Sequence, residues 1–134
     1  MSAAKITLFV QEWLNFADGD FKVANDQFRD DMPAYHTICF LCQAAAEKYL
    51  KAFLLADGKP LQKTHDLLEL LNSAVKQYDQ MAQLSNEAAL LNEYITAGRY
   101  PGIIPFSALT RTDAQQALAA AEAIRTAVLQ QLNS

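Results

Sequence analysis

The chain has 134 residues, 51% of them hydrophobic and 19% charged, with a formal net charge of −4. That length makes a single ordinary domain, residues 1–134, able to bury a core without disulfide or metal staples, and its mixed charges exclude wholesale disorder. The acidic balance argues against non-specific binding to nucleic acid or anionic membranes, although a local basic patch can still hold phosphate.

The first residues, Met1-Ser2-Ala3-Ala4-Lys5, soon meet Gln11, Glu12 and Asn15. That run is too short and too polar for a secretory signal. No stretch reaches the roughly 18 apolar residues of a membrane span. A soluble, cytoplasmic protein that makes no use of a membrane is expected.

The first predicted helix covers about residues 5–29. Val10, Leu14, Ala17, Phe21, Ala24 and Phe28 recur at alternating spacings of four and three, which lines them up on one helical face. Trp13, Phe16 and Val23 are expected to widen that stripe, and Gly19 to permit a bend. The second helix covers about 33–57, with Asp31 as its N-cap and Pro33 in its first turn. Tyr35, Ile38, Cys39, Cys42, Ala46, Tyr49, Phe53 and Leu54 form its inner face, and Gly58 followed by Pro60 stops it.

A third helix starts at Thr64 as N-cap and carries Leu67, Leu68, Leu70, Leu71, Val75 and Tyr78. A fourth starts at Ser85 and carries Leu90, Leu91, Tyr94 and Ile95. Gly98, Pro101, Gly102 and Pro105 then break the chain. The last helix covers about 112–132, with Thr112 and Gln115 as a capping box and a stripe of Ala114, Leu118, Ala121, Ile124, Val128 and Leu132. No segment alternates as a half-buried strand does. The expected fold is all-α, an antiparallel up-and-down bundle of four to five helices.

Few residues carry obvious chemistry. His36, Cys39 and Cys42 lie along one helical face, but a structural zinc site needs a fourth ligand, and buried free cysteines are common. No metal and no cofactor are expected. The two cysteines cannot build a disulfide framework, which suits a reducing compartment. The carboxylate pairs Asp18/Asp20 and Asp30/Asp31 read as solvated surface groups. There is no nucleophile elbow, phosphate-binding glycine loop or zincin motif.

Charge is more informative. Between Lys48 and His65 stand four lysines (48, 51, 59 and 63) and one acid, Asp57. An anion could rest there, near the positive end of the third helix. The competing reading is a solvated lysine face, with Lys51 paired to Glu47 one turn earlier. Arg99-Tyr100-Pro101 adjoins the Gly/Pro break, where binding residues often project. Ile103, Ile104 and Phe106 follow in a non-helical stretch and must cover the bundle or meet another chain.

These residues together resemble a HEPN domain. The segment Cys42 to Leu54 (CQAAAEKYLKAFL), then Thr64-His65-Asp66-Leu67, then Arg99-Tyr100-Pro101 follow that family's order. The opening helix agrees through Trp13, Ala17, Asp20, Phe21 and Ala24. Ala44 and Gly98 are minor departures, standing where the family often has Gln and Ala.

The resemblance implies a helical bundle that often forms homodimers. It also implies pairing with a minimal nucleotidyltransferase (MNT) in toxin–antitoxin-like modules, nucleotide binding, or metal-independent RNA cleavage. The nuclease branch needs an arginine followed by four to six residues and a histidine. After Arg99 the matching positions are Ile104, Pro105 and Phe106, and no histidine follows His65. Arg29 and His36 have a fitting spacing, but in the first inter-helix turn.

The leading expectation is a non-catalytic HEPN domain that binds a nucleotide, RNA or a partner nucleotidyltransferase. Lys48, Lys51 and Arg99 would hold phosphate, Gln43 and His65 would bond a base or sugar, and Tyr100 would complete the site. The alternatives are a ribonuclease toxin and a purely structural dimeric module.

Overall fold

The computed structural model describes residues 6–75, 79–97 and 108–133. Helix α1 spans Leu8–Phe28, α2 Tyr35–Ala56 and α3 Leu67–Val75. A 3₁₀ turn, Asp79–Leu84, leads into α4 (Ser85–Asn92). The short α5 (Tyr94–Ala97) and the long α6 (Arg111–Leu132) complete the fold. No strand occurs among the described residues, and none of these helices is long and apolar enough to cross a membrane.

The helix ends show how local chemistry sets boundaries, and several differ from expectation. α1 begins later than residue 5, because the Thr7 hydroxyl accepts the Val10 N–H at 3.1 Å and caps the helix there. α2 begins at Tyr35 rather than Pro33. Asp31 does not cap it; the Ala34 N–H is instead bonded by the Gln27 side chain at 2.7 Å. α3 is capped by Asp66, not Thr64. Asp66 Oδ1 accepts the Leu68 N–H at 2.9 Å, and the Thr64 hydroxyl accepts the Asp66 N–H at 3.0 Å.

Ser85 is likewise the first helical residue of α4 and not its cap; its hydroxyl donates to the Ala82 carbonyl. The predicted fourth helix divides at Glu93, whose N–H falls back on the Leu90 carbonyl at 3.3 Å. The capping box of α6 is Thr110 with Asp113, two residues before Thr112 and Gln115. The Asp113 carboxylate accepts the Thr110 N–H at 2.8 Å, and the Thr110 hydroxyl accepts the Asp113 N–H at 3.3 Å. Tyr78 and the Gly/Pro-rich 98–107 segment lie outside the described residues.

α2 is the central post. It packs against α1, α3, α4, α5 and α6, and fifteen of its 22 residues are buried. Alanines at 44, 45, 46 and 52 bring neighbouring backbones close on several sides at once. α1 runs antiparallel to α2, since Trp13 lies by Lys51 and Asp20 by Lys48. α6 also runs opposite to α1. Its first residue, Arg111, lies over the Phe28 ring with 4.1 Å to the centroid, and Arg125 reaches back to Asp18.

The stripes of α1 and α6 are buried as their periodicity requires, with Val10, Leu14, Ala17 and Ala24 of α1 and Ala114, Ala121, Ile124 and Val128 of α6 sharing one core around α2. Phe16 and Val23 do not join them. At 100° per residue they lie roughly 120–140° round α1 from the stripe, and they are 63% and 52% exposed. Gly19 sits inside an unbroken helix. Cys39 and Cys42 are free and fully buried, and among the described residues no group of His, Cys, Asp or Glu is arranged to hold a metal.

Candidate functional site

The turn after α2 decides where His65 lands. Gly58 adopts φ +83°, a conformation that a side chain would strain. The Lys59 N–H then reaches the Leu54 carbonyl and the Gly58 N–H the Leu55 carbonyl, each at 3.0 Å, closing a Schellman motif. Lys59 fastens the returning chain by donating to the Ser73 carbonyl of α3 at 2.5 Å. Asn92 of α4 holds the start of α3, donating to Asp66 at 2.8 Å and accepting the Leu67 N–H at 2.8 Å. His65 is thereby held between two anchored neighbours, beside the middle of α2.

There it meets Glu47. Gln43, Glu47 and Lys51 follow one another at four-residue spacing and share a face of α2. Glu47 Oε1 lies 2.9 Å from His65 Nδ1 and accepts from Gln43 Nε2 at 3.2 Å, while Glu47 Oε2 accepts from Lys51 Nζ at 3.0 Å. Gln43 Nε2 also donates to the His65 carbonyl at 3.2 Å. Gln43, Glu47 and Lys51 are 0%, 8% and 6% exposed, so the contacts among them are interior, whereas the His65 side chain is about half exposed.

Burial by itself pushes the Glu47 pKa up. The hydrogen bonds from Lys51 and His65 outweigh it, so the carboxyl titrates below its ordinary 4.5. Lys51 also lies 5.8 Å from the Trp13 ring centroid, where the aromatic face favours a cation. No donor among the described residues reaches Gln43 Oε1, although the atom is buried.

On the neighbouring face of α2, Lys48 pairs with Asp20 of α1, both about three-quarters buried. Beside this pair opens a cavity of about 250 Å³, lined by Asp20, Phe40, Leu41, Glu47, Lys48 and His65. Of the residues expected to form a site, Gln43, Lys51 and His65 are gathered by Glu47. Lys48 and His65 line the cavity. Arg99 and Tyr100 lie outside the described residues. The lysine run is not uniformly solvated: Lys48 holds Asp20, Lys51 pairs with Glu47 one turn earlier as its spacing allows but is buried, Lys59 lies 3.7 Å from Asp57, and Lys63 is exposed. Of the other arginine–histidine combination, Arg29 is exposed and pairs with Asp26 at 3.2 Å.

Sequence reasoning passed over two carboxylates. Asp20 is the partner of Lys48, and Asp18 joins a second cluster with Tyr49 and Arg125. Neither is simply solvated. Both flank stripe residues of α1 (Ala17 and Phe21), and that adjacency was the available signal.

A second concavity, about 290 Å³, lies on the outer side of α1 between Phe9, Glu12, Trp13, Phe16 and Lys48. Leu8, Phe9, Phe16 and Val23 are all more than half exposed along that helix. Lys48 stands between the two concavities and lines both.

Comparison with known proteins gives a consistent result. The family model for the HEPN domain matches residues 10–132. The crystal structure of TT1696 from Thermus thermophilus is similar, with a TM-score of 0.83, 30% identity, and coverage of 92% of this chain and 98% of that one. ST0689, described as an archaeal HEPN homologue, superposes with a TM-score of 0.75 at 25% identity, covering 92% of this chain and 97% of that one. No curated protein matches the chain in sequence.

Proposed function

The chain belongs to the HEPN family, and from that premise we propose that it is a non-nucleolytic HEPN domain that binds a nucleotide in the cavity beside α2. One observation carries this reading. Asp20, Lys48, Glu47 and His65, drawn from α1, α2 and the α2–α3 connection, converge on one concavity with an apolar wall of Phe40 and Leu41. Few convergent polar groups on an apolar lining are the usual make-up of a small-molecule site.

The sequence supports the non-nucleolytic part of this reading. Proton transfer near neutral pH is the work of histidine, and none stands in the required register after Arg99. Calorimetric titration with ATP, GTP and a short RNA, at protein near 100 µM on the scale of weak ligands, tests the binding. Heat with one or more supports it, and silence with all three removes it. RNA shortened by the purified protein, and lost with a His36→Ala or His65→Ala variant, would restore the ribonuclease toxin.

A second reading, compatible with the first, concerns protein contacts. Exposed Phe9, Phe16 and Val23 stand seven residues apart on α1 and make an apolar strip of the sort that pairs helices. A second copy of the chain is the proposed occupant, giving a homodimer, and a nucleotidyltransferase partner of the MNT kind would compete for the same strip. Light scattering on the native chain and on Phe16→Glu decides it. A native dimer that becomes monomeric supports the reading, and a native monomer at high concentration ends it.

A further inference from the structure

Resting on the cavity as the nucleotide site, we infer that it reads the edge of a guanine-type base and leaves the phosphates in solvent. The sequence invited the opposite assignment, with lysines on phosphate. The structure has those lysines already engaged. Lys48 holds Asp20 and Lys51 holds Glu47, so neither is an idle cation waiting for an anion. Around the cavity Asp20 (−1) and Glu47 (−1) are matched by Lys48 (+1) and by Lys51 (+1) behind Glu47, which sums to 0 with His65 neutral. A phosphate group carrying one to two negative charges would find no uncompensated cation there and would have to compete with Asp20 for Lys48.

The unused hydrogen-bonding capacity points to a ring instead. Among the described residues, Asp20 Oδ1 has no hydrogen-bond partner, since Lys48 is bonded to Oδ2. Lys48 has three N–H donors and uses one on Asp20. Glu47 can only accept, so at 2.9 Å it fixes the proton of a neutral His65 on Nδ1 and leaves a lone pair on Nε2. The cavity therefore offers a carboxylate acceptor, an imidazole acceptor and an ammonium donor. Guanine presents the complement, N1–H and the 2-amino group as donors beside the O6 acceptor. Uracil, with one ring N–H between two carbonyls, does not. Phe40 and Leu41 supply the apolar wall against which a ring face can lie. About 250 Å³ lies just under the range for drug-sized ligands, room for a base rather than a base with its full phosphate chain.

The deciding experiment is calorimetry on the native chain with guanosine, GTP, uridine and inorganic pyrophosphate, at low and high salt. Guanosine and GTP should bind within about threefold of each other, with uridine at least about tenfold weaker and pyrophosphate silent. Guanosine affinity should barely move with salt, whereas a phosphate contact would be screened. Asp20→Asn and His65→Ala, each checked for native helicity by circular dichroism, should each weaken guanosine about tenfold or more.

GTP binding without guanosine binding, or displacement of GTP by pyrophosphate, would overturn the base-edge assignment while leaving a nucleotide site in place. Equal affinity for uridine and guanosine would overturn the choice of guanine. No heat from any nucleoside or nucleotide would remove the site itself.

Discussion

The guanidinium Nε of Arg125, on α6, lies 3.1 Å from the hydroxyl of Tyr49, on α2, and 3.3 Å from Asp18 Oδ1 on α1. Tyr49 in turn donates to Asp18. Three helices are tied by three side chains that are up to 107 positions apart in sequence. The tyrosine ring is fully buried, whereas Asp18 is half exposed and Arg125 one-third exposed. The energetic weight therefore falls on the hydroxyl, and the exposed charge pair is largely screened.

Tyr49→Phe keeps the ring and removes only that hydroxyl. It should cost about 1.5–3 kcal/mol, the scale for a hydrogen bond to charged partners, and lower Tm by roughly 5–12 °C in a chain of this size. Arg125→Ala should cost less. Thermal melts followed by circular dichroism rank the two, and an Arg125 variant that proves the more damaging would contradict the brace as described.

Removal of one member of the buried Glu47–Lys51 pair should be severe. In Glu47→Ala the Lys51 ammonium stays buried without its carboxylate, at a cost of about 3–5 kcal/mol. Glu47→Leu combined with Lys51→Met should recover most of that loss, because desolvation is then no longer required. Urea midpoints give the comparison. The acid limb has a definite sign. Glu47 is depressed in the folded state, so its stabilisation is present above the ordinary 4.5 and fades as pH falls through the folded value. The Glu47→Leu/Lys51→Met variant should lack that part of the acid loss.

The alkaline limb runs the other way. Burial pushes the Cys39 thiol up to about 11, and pushes Cys42, Tyr49 and Tyr94 up as well. The unfolded chain releases these four protons from about pH 9.0–10.0, while the folded chain retains them. Their contribution is complete below the unfolded values and lost as pH rises through the folded ones. Stability should therefore decline steadily above pH 9.0, and less steeply in a Cys39→Ala/Cys42→Ala variant. Ellman's reagent at neutral pH should find both thiols silent in the native chain and both reactive in urea. A fast-reacting native thiol would be inconsistent with their burial.

Two glycines should respond in opposite directions to alanine. Gly58→Ala places a Cβ on a backbone with φ +83° and should cost about 1 kcal/mol. Gly19→Ala meets no atom within 4 Å and replaces a poor helix former, so it should stabilise by up to about 1 kcal/mol. Matched denaturation curves would expose an error in either sign.

These cases also show what a linear reading can and cannot see. The stripe Val10–Leu14–Ala17–Ala24 was legible because 3.6-residue periodicity is a local property, and a buried face imposes it on the sequence. Phe16 and Val23 were misplaced because apolar residues need not be inside; much of any protein surface is apolar. The α6 cap slipped by two residues because Thr110–Asp113 and Thr112–Gln115 both have a capping spacing, and only the geometry selects one.

The site was harder still. Gly58 announced that the chain turns, but the angle that sets His65 against Glu47 depends on Asn92 and Lys59, which bind α3 from elsewhere. Lys51 looked like a surface lysine because lysines usually are. Its burial requires Glu47, Trp13 and a covering helix together. Asp18 and Asp20 found partners at sequence separations of 28 to 107, which no window along the chain can detect.

A helix enclosed by five others has little outer surface on which sequence drift can accumulate harmlessly. Almost every exchange along α2 is felt by several neighbours at once, so its amide protons should be among the slowest in the molecule to trade with deuterium. Descendants of this chain that acquire new ligands or companions must then do so at the margins, on the outward side of α1 and along the cleft rim at Lys48, while the axle itself keeps its composition.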